Sequence, residues 1–243
     1  MSRKIIPKLT NSGLLVLIRH GESRFNELNL FTGCVDVPLT EKGVKEADQV
    51  ASHCQQFNYD AAFTSHLERA HETLLLILSR QQKIGIFQHN NDGRYEMTKK
   101  TPALFRKQIL PINSSKALNE RAYGALQGMN KDKATELYGA SQILKWRRGF
   151  SSKPPQGESL KDVYKRSVRY FNKMIIPRLK RRETNLIVSH GNTLRAIIKY
   201  IENIEDVKIP LINLPFASPL VYEYKNNRFS RIEGTYNFER VLR

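Results

Sequence analysis

The sequence contains few of the features that mark secreted or membrane proteins. Its two cysteines, Cys34 and Cys54, match neither a disulfide framework nor the spacing of a zinc site. No apolar run approaches the roughly 18 residues that a membrane-spanning helix needs. The start, Met1 to Lys8, lacks the apolar core of a secretory signal, although the chain is basic and free of acids as far as Leu17. We therefore expect a cytoplasmic protein, with a mitochondrial location as the alternative.

Acidic residues are scarce relative to basic ones. There are 40 Lys and Arg against 23 Asp and Glu, which gives a formal net charge of +17. One anion-binding site needs only a handful of cations, so we interpret most of this excess as a solvated basic surface. The longest run of bases is Lys180-Arg181-Arg182, and basic residues do not alternate with aromatics as in single-strand binders. The pattern argues against nucleic acid as a partner and favours small anionic molecules.

Chain length and local composition predict a single domain with a full hydrophobic core. Residues 1–13 read as a flexible basic N-terminal extension, residues 14–234 as the domain, and residues 235–243 as a short C-terminal tail. Within the domain, residues 79–116 read as an inserted polar and basic loop. We expect this insertion to keep a strand at Ile84 to Phe87 and a short helix at Ala103 to Ile109.

An apolar strand that ends in a cation, an imidazole and a glycine is the most informative stretch of the chain. Leu14 to Ile18 is wholly apolar, which is typical of a strand buried on both faces. Arg19, His20 and Gly21 follow, at the position where parallel strands of open α/β sheets bind ligands. Because a guanidinium group pairs well with phosphate, an Arg beside a His indicates an anionic substrate.

A second stretch repeats this design far downstream. The apolar strand Asn185 to Ser189 is followed by His190, Gly191 and Asn192, and then by the start of a helix. The free N–H groups and the dipole of a helix N-terminus attract anions. One histidine at the end of a strand can be a satisfied structural residue. Two such histidines, each followed by glycine, predict a shared anion site.

Local patterns predict several further elements. Thr40 is expected to cap a helix that runs to about Gln56. Its buried face is expected to comprise Val44, Ala47, Val50, Ala51 and Cys54. Ser159 is expected to cap a long helix over about 160–180, which Pro177 kinks or ends. Near the end of the domain, Leu220 to Tyr224 and Arg228 to Ile232 read as a hairpin.

Several motifs occur in order between Leu14 and Tyr224. They are Arg-His-Gly-Glu-Ser at 19–23, Phe-Thr-Gly at 31–33, Thr-Ser-His-Leu-Glu-Arg-Ala at 64–70, Asn-Glu-Arg at 119–121, Gly-Ala-Leu-Gln-Gly at 124–128, Trp-Arg-Arg at 146–148 and Ser-His-Gly-Asn at 189–192. Together they resemble the cofactor-dependent phosphoglycerate mutases of the histidine phosphatase superfamily. The first motif alone indicates only the superfamily, whereas those at 119–128 and 146–148 are specific to the mutase branch.

The resemblance implies a fold and a set of site residues. The fold is α/β, with three layers (α/β/α) around a mostly parallel central sheet. His20 is expected to be the nucleophile and Glu120 the proton donor and acceptor, while Arg19, Arg69 and His190 hold the transferred phosphoryl group. The residues expected to bind the rest of the substrate are Ser23, Asn26, Thr32, Gly33, Tyr123, Lys131, Arg147, Arg148, Gly191 and Asn192.

The activity implied by the resemblance is the interconversion of 3-phosphoglycerate and 2-phosphoglycerate, in glycolysis and gluconeogenesis. It proceeds through a phosphohistidine that 2,3-bisphosphoglycerate primes, and it uses no metal ion. The resemblance also allows a homodimer.

Three departures from the family pattern keep two alternatives open. Ala122 replaces an aromatic residue or His, Phe216-Ala217-Ser218 replaces Thr-Gly-Val, and the tail after Gly234 is short. We expect the side chains at 216–218 to narrow the pocket behind His190. If the site admits water, the same residues give a phosphatase of small phosphorylated metabolites. The other alternative is a catalytically weak relative that acts as a basic binding protein.

Overall fold

The computed structural model describes residues 11–88 and 102–232. Its strands are β1 (Gly13–Arg19), β2 (Ala61–Thr64), β3 (Ile84–Phe87), β4 (Ile109–Ser114), β5 (Thr184–Ser189), β6 (Pro219–Lys225) and β7 (Arg228–Arg231). Its helices are α1 (Arg24–Glu27), α2 (Glu41–Cys54), α3 (Glu68–Leu78), α4 (Ala103–Arg106), α5 (Lys131–Tyr138), α6 (Ala140–Arg148), α7 (Leu160–Met174), α8 (Ile176–Lys180) and α9 (Gly191–Ile201). Within these ranges, no helix is long and apolar enough to cross a bilayer.

The strands of the described residues form one sheet in the order β3-β4-β2-β5-β1-β6-β7. The five strands from β3 to β1 pair in parallel, whereas β6 and β7 add an antiparallel hairpin at one edge. The hairpin turns at Asn226 and Asn227, which both have positive φ, as a two-residue turn of this kind requires. The predicted mostly parallel sheet and the terminal hairpin are confirmed.

Side chains of β1 alternate between two hydrophobic cores, one on each face of the sheet. Leu14, Val16 and Ile18 pack with residues of α2 and α3, whereas Leu15 and Leu17 pack with residues of α7, α8 and α9. Because successive strand residues point to opposite faces, a strand that is apolar at every position needs a helical layer on both sides. The prediction of three layers is therefore confirmed.

The structure changes two details of the predicted helices. Thr40 caps α2 as expected, and its Oγ1 accepts a hydrogen bond from the Gly43 N–H at 3.0 Å. Val44, however, is 42% exposed, and Gly43 is buried instead. The helix predicted over 160–180 divides into α7 and α8 just before Pro177, because proline has no N–H to continue the helical hydrogen bonds.

The prediction for residues 79–116 is wrong in one part. β3 occupies the expected strand at Ile84–Phe87, and α4 covers the start of the expected helix. Ile109–Ser114 is not loop but β4, a strand between β3 and β2 in the sheet. A proline and an asparagine interrupt its apolar pattern, so only its two parallel neighbours identify it as a strand. Residues 89–101 lie outside the described residues, as do 1–10 and 233–243.

Two glycines let the loop after β1 lie directly against the first turn of α2. A Cβ on Gly43 would lie 2.0 Å from the Glu22 carbonyl oxygen, and a Cβ on Gly21 would lie 2.4 Å from the Gly43 carbonyl oxygen. The Thr40 N–H also donates to the Glu22 carbonyl, at 2.9 Å. This close backbone contact fixes the loop that begins at His20.

We expect Gly43→Ala to lower the free energy of unfolding by about 1–3 kcal/mol, because the added methyl group meets backbone that has no room to move. Urea unfolding monitored by circular dichroism measures the change. Lys45→Ala, an exposed substitution on the same helix, is the control and should stay within about 0.5 kcal/mol of the parent. Equal stability of the two variants would show that the contact is not tight.

Candidate active site

The carboxyl ends of three adjacent parallel strands bring the two predicted histidines together. His20 follows β1, His190 follows β5, and Ser65 follows β2. Arg19 of β1 lies opposite Ser189 of β5, so the residues after each strand emerge side by side. The centroids of the two imidazole rings are 5.0 Å apart. The two separate sequence motifs therefore form one site.

Hydrogen bonds fix the tautomer of the neutral His20 ring. Its Nδ1 lies 2.6 Å from the Gly21 carbonyl oxygen. A carbonyl oxygen only accepts, so Nδ1 carries the hydrogen and Nε2 carries the lone pair. The Nε–H of Arg69 donates to this Nε2 at 3.3 Å. Nε2 is therefore the nucleophilic atom of His20.

Burial and neighbouring cations keep both imidazoles neutral. Desolvation, then Arg69 and Arg19, hold the pKa of His20 well below its ordinary value. Desolvation lowers the pKa of His190 in the same direction, with Arg69 and His20 as the next largest causes. A neutral imidazole has a free lone pair, which a protonated ring lacks. His20 is thus ready to act as a nucleophile at neutral pH.

His190 has a ring nitrogen that is not hydrogen-bonded to any described residue. Its Nε2 lies 2.8 Å from the Ser65 hydroxyl, which accepts from the Leu67 N–H at 3.1 Å. In the tautomer in which the Ser65 hydroxyl donates to Nε2, the hydrogen of the ring is on Nδ1. Nδ1 is buried and has no hydrogen-bond partner among the described residues. An anion bound near His20 would satisfy it.

Arg69 is a buried clamp on the site rather than a surface cation of α3. Only 1% of the residue is exposed. Nη1 donates to the Val35 carbonyl at 3.0 Å and Nη2 donates to the Gly33 carbonyl at 2.9 Å. Burial lowers the pKa of Arg69, while the carboxylates of Glu120 and Asp36 oppose this shift. Arg69 therefore ties the loop at 33–35 to the histidines.

Arg19 is held between a carbonyl and an aromatic ring. Its Nη1 donates to the Leu214 carbonyl at 2.7 Å, and its guanidinium carbon lies 3.8 Å from the ring centroid of Phe216. Burial lowers the pKa of Arg19 to about 10, and its Nε has no partner among the described residues. The Phe216 ring is also 5.9 Å from the ring of His20. Phe216 thus contacts both His20 and Arg19, and the narrowing of the pocket behind His190 by residues 216–218 stays a prediction.

Glu120 is the acidic residue of the site. Its Oε1 accepts from the Arg121 N–H at 2.7 Å and from the Asn192 N–H at 3.3 Å. A Cβ on Gly191 would lie 3.6 Å from the guanidinium carbon of Arg19 and 3.9 Å from Oε2 of Glu120. The helix N-terminus at Gly191 therefore lies against both side chains. A carboxylate in this place can exchange a proton with a bound hydroxyl group.

A cavity of about 150 Å³ joins these groups, a size that suits a small molecule. Thirteen predicted site residues line it: Arg19, His20, Asn26, Thr32, Gly33, Arg69, Glu120, Tyr123, Lys131, Arg147, Arg148, Gly191 and Asn192. The other two predicted residues, His190 and Ser23, are buried and are not among the lining residues. The His190 ring lies beside that of His20, and the Ser23 hydroxyl donates to Oδ1 of Asn26 at 2.8 Å. Ser23 therefore orients Asn26.

Further cations line the cavity, among them Lys131, Arg147 and Arg148. Burial, and then Arg147, lower the pKa values of both Lys131 and Arg148. Nζ of Lys131 donates to Asn29 at 3.3 Å, and Nη1 of Arg148 donates to the Ile212 carbonyl at 3.4 Å. Crowded, partly buried cations favour a ligand with a second anionic group. In the described part of the chain, no cluster of His, Cys, Asp and Glu suits a metal ion.

The sequence analysis missed six residues that line the cavity. They are Leu30, Phe31, Arg195, Ile212, Asn213 and Leu214. A signal existed for Arg195, because it follows Asn192 by three residues in a predicted helix and therefore shares its face. The segment 212–214 has no local pattern, and only the tertiary fold places it beside Arg19.

We expect Phe216→Leu to lower the second-order rate of His20 phosphorylation on the order of 10-fold, because the buried cation–π contact that holds Arg19 is lost. Single-turnover quench-flow with a phosphorylated substrate measures this rate. Phe229→Leu removes a ring of similar kind in the distant β7 hairpin and should leave the rate unchanged. If Phe216→Leu reacts as fast as the parent, the ring does not position Arg19.

The buried neutral histidines also predict a dependence of stability on pH. Below its ordinary pKa of about 6.5, His20 binds a proton in the unfolded chain but not in the folded one, so stability falls as the pH falls. Between pH 7.5 and 5.5, a His20→Gln variant should gain about 1.4 kcal/mol relative to the parent. Urea unfolding of the two ligand-free proteins at each pH measures this difference. If the free energy of unfolding changed with pH equally in both proteins, the lowered pKa of His20 would be contradicted.

Comparison with known proteins places this site in a family. The model of the histidine phosphatase superfamily (branch 1) matches residues 15–91 and 95–234. A 2,3-bisphosphoglycerate-dependent phosphoglycerate mutase from Methanosarcina acetivorans is 45% identical over 232 residues, which cover 89% of this chain and 94% of that protein. Mutase 2 of Arabidopsis thaliana is 41% identical over 231 residues, which cover 92% of this chain and 68% of that protein.

Solved structures confirm the fold. Bacillus stearothermophilus YhfR has a TM-score of 0.73 at 24% identity and covers 93% of this chain and 98% of its own. A mycobacterial glucosyl-3-phosphoglycerate phosphatase has a TM-score of 0.71 at 20% identity and covers 91% of this chain and 97% of its own. The sequence relatives identify the branch. The chain therefore belongs to the 2,3-bisphosphoglycerate-dependent phosphoglycerate mutase family of the histidine phosphatase superfamily.

Proposed function

We propose that the protein interconverts 3-phosphoglycerate and 2-phosphoglycerate through a phosphohistidine at His20. The observation that carries the proposal is the neutral His20 ring, whose Nε2 lone pair lies within hydrogen-bonding distance of Arg69, in a cavity that Arg19 and Glu120 also line. Relatives at 38–45% identity over most of the chain bear the name of this activity. The reaction is an isomerisation in which phosphohistidine gives its phosphoryl group to the hydroxyl of one monophosphate, and His20 then takes the other phosphoryl group from the resulting bisphosphate.

The first part of the proposal concerns phosphoryl transfer to His20. Nε2 forms a bond to phosphorus while the phosphorus–oxygen bond of the ester breaks, and its electron pair leaves with the oxygen. Arg19, Arg69 and the free Nδ1–H of His190 are placed to stabilise the charge on the transferred group. Once Nε2 carries phosphorus it no longer accepts from Arg69, whose Nε–H is then free to donate to a phosphoryl oxygen.

Glu120 has the role of moving the proton. It donates a proton to the ester oxygen that leaves when His20 attacks, and it takes a proton from the substrate hydroxyl that attacks phosphohistidine. The two transfers in one cycle therefore return Glu120 to its starting state. The backbone N–H groups of Arg121 and Asn192 hold the carboxylate in position between these steps.

The described residues fit the primer 2,3-bisphosphoglycerate, which supplies the phosphoryl group that first loads His20. Arg19 and Arg69 provide cations beside His20, and Lys131, Arg147 and Arg148 are further cations that line the cavity. Buried donors without partners, at Arg19 Nε and His190 Nδ1, are further support because they call for an anion. The same cations would bind the carboxylate and phosphate of either monophosphate.

Purified protein with 3-phosphoglycerate, assayed with and without 2,3-bisphosphoglycerate, tests the proposal. We expect formation of 2-phosphoglycerate that depends on the primer, no formation with His20→Ala, and a loss of about 10²–10⁴-fold with Glu120→Gln. Release of free phosphate without isomerisation would overturn the proposal in favour of the phosphatase. Absence of both products would overturn it in favour of the basic binding protein.

Assembly and compartment stay predictions. We propose a homodimer on the family resemblance, and sedimentation equilibrium would test it. We propose the cytoplasm as the compartment, and two free cysteines, Cys34 and Cys54, are consistent with reducing conditions. Microscopy of the tagged full chain would separate the cytoplasm from mitochondria.

A further inference from the structure

A buried arginine that the mechanism above does not use lines the cavity. Arg195 lies in the N-terminal half of α9 and is 6% exposed. Its Nη2 donates to Oδ1 of Asn192, which is a neutral group. Its Nη1 is buried and has no hydrogen-bond partner among the described residues. The guanidinium group therefore has an unused hydrogen-bond donor beside the cavity.

The surroundings of Arg195 are unfavourable for a cation in the absence of ligand. Burial lowers the pKa of Arg195 to about 9, and the positive charges of Arg121 and Arg148 contribute further. Tyr123 and Glu120 oppose the shift only in part. A buried charge without a close counter-ion is costly, whereas an anion that accepts from it offsets this cost. The site is thus built to receive negative charge at this point.

Arg195 also fixes the orientation of the neighbouring amide. A guanidinium group only donates, so the atom of Asn192 that faces Arg195 must be Oδ1. Nδ2 then points the other way, where it lies 3.4 Å from the hydroxyl of Tyr123. Asn192 and Tyr123 both line the cavity. Arg195 therefore sets which donor Asn192 presents to a ligand.

Hydrogen bonds connect Arg195 to the residues around Tyr123. Asn192, which accepts from Arg195, lies 3.4 Å through its Nδ2 from the hydroxyl of Tyr123. Arg121 donates to the same hydroxyl at 2.8 Å and to the Arg147 carbonyl at 2.9 Å. His20 is hydrogen-bonded instead to Arg69 and to the Gly21 carbonyl. With its phosphoryl group at His20, 3-phosphoglycerate would present its other anionic group, the carboxylate, to Arg195.

We propose that Arg195 binds the carboxylate of the substrate directly through Nη1 and, through Asn192, sets the donor next to it. This inference rests on the proposed function, since it assumes a phosphoglycerate as the ligand. It gives the site a means of selecting phosphorylated acids over phosphorylated alcohols. A guanidinium fork matches the planar carboxylate, which a neutral side chain at this position does not.

A pair of ligands isolates the carboxylate. 3-Phosphoglycerate and glycerol 3-phosphate differ in having a carboxylate or a hydroxymethyl group, and every protein compared carries His20→Ala so that neither ligand can transfer its phosphoryl group. Calorimetry gives the ratio of their dissociation constants for the parent and for Arg195→Gln. We expect this ratio to shrink about 10- to 100-fold in the variant, because hydrogen bonds to charged groups are strong. Arg195→Lys keeps the charge without the fork and should fall between the two.

Arg178→Gln is the matched control, because Arg178 pairs with Glu183 away from the cavity. Its ratio should equal that of the parent. An unchanged ratio of dissociation constants in Arg195→Gln overturns the proposal. An equal loss of affinity for both ligands also overturns it, because that result would indicate a structural role. If Arg195→Gln weakened the binding of 2,3-bisphosphoglycerate alone, Arg195 would be assigned to the second phosphate, and its assignment to the carboxylate would be overturned. Since the ratio needs no turnover, failure of the mutase assay leaves it measurable.

Discussion

The rest of the site depends on the positive side chains that surround two neutral imidazoles. Burial is the main cause of the low pKa values of His20 and His190, and the charges of Arg69 and Arg19 add to it. Glu120 is the acidic side chain among the described residues that line the cavity. The ligand-free site thus holds one carboxylate among several cations, and a phosphorylated substrate supplies further negative charge. The same cations attract the substrate and help to keep His20 neutral.

Backbone carbonyls, rather than carboxylates, hold these arginines in place. Arg69 donates to the carbonyls at Gly33 and Val35, Arg19 donates to Leu214, and Arg148 donates to Ile212. A carbonyl orients a guanidinium group without cancelling its charge, whereas a carboxylate would compete with the substrate. The loops at 33–35 and 212–214 therefore position the arginines of the cavity through their backbone carbonyls.

Phe216 and Arg195 extend this arrangement. The ring of Phe216 packs against the guanidinium group of Arg19, and because the ring is uncharged it does not neutralise the positive charge. Arg195 lines the same cavity and orients Asn192. By our proposal the two groups of residues differ in purpose, because His20 and Arg19 act on the phosphoryl group and Arg195 binds the carboxylate. Such a division would let one cavity hold both monophosphates and turn the bisphosphate between two orientations.

The sequence by itself determined the layers and the centre of the site. The unbroken apolar run before His20 requires helices on both faces, and two strand-His-Gly motifs predict one shared anion site. β4 and the place of Phe216 beside Arg19 were decided only by the tertiary structure. These features depend on contacts between residues far apart in the chain, such as Arg19 with Leu214, 195 positions away. Local periodicity reports which side of an element is buried, but not which distant residue meets it there.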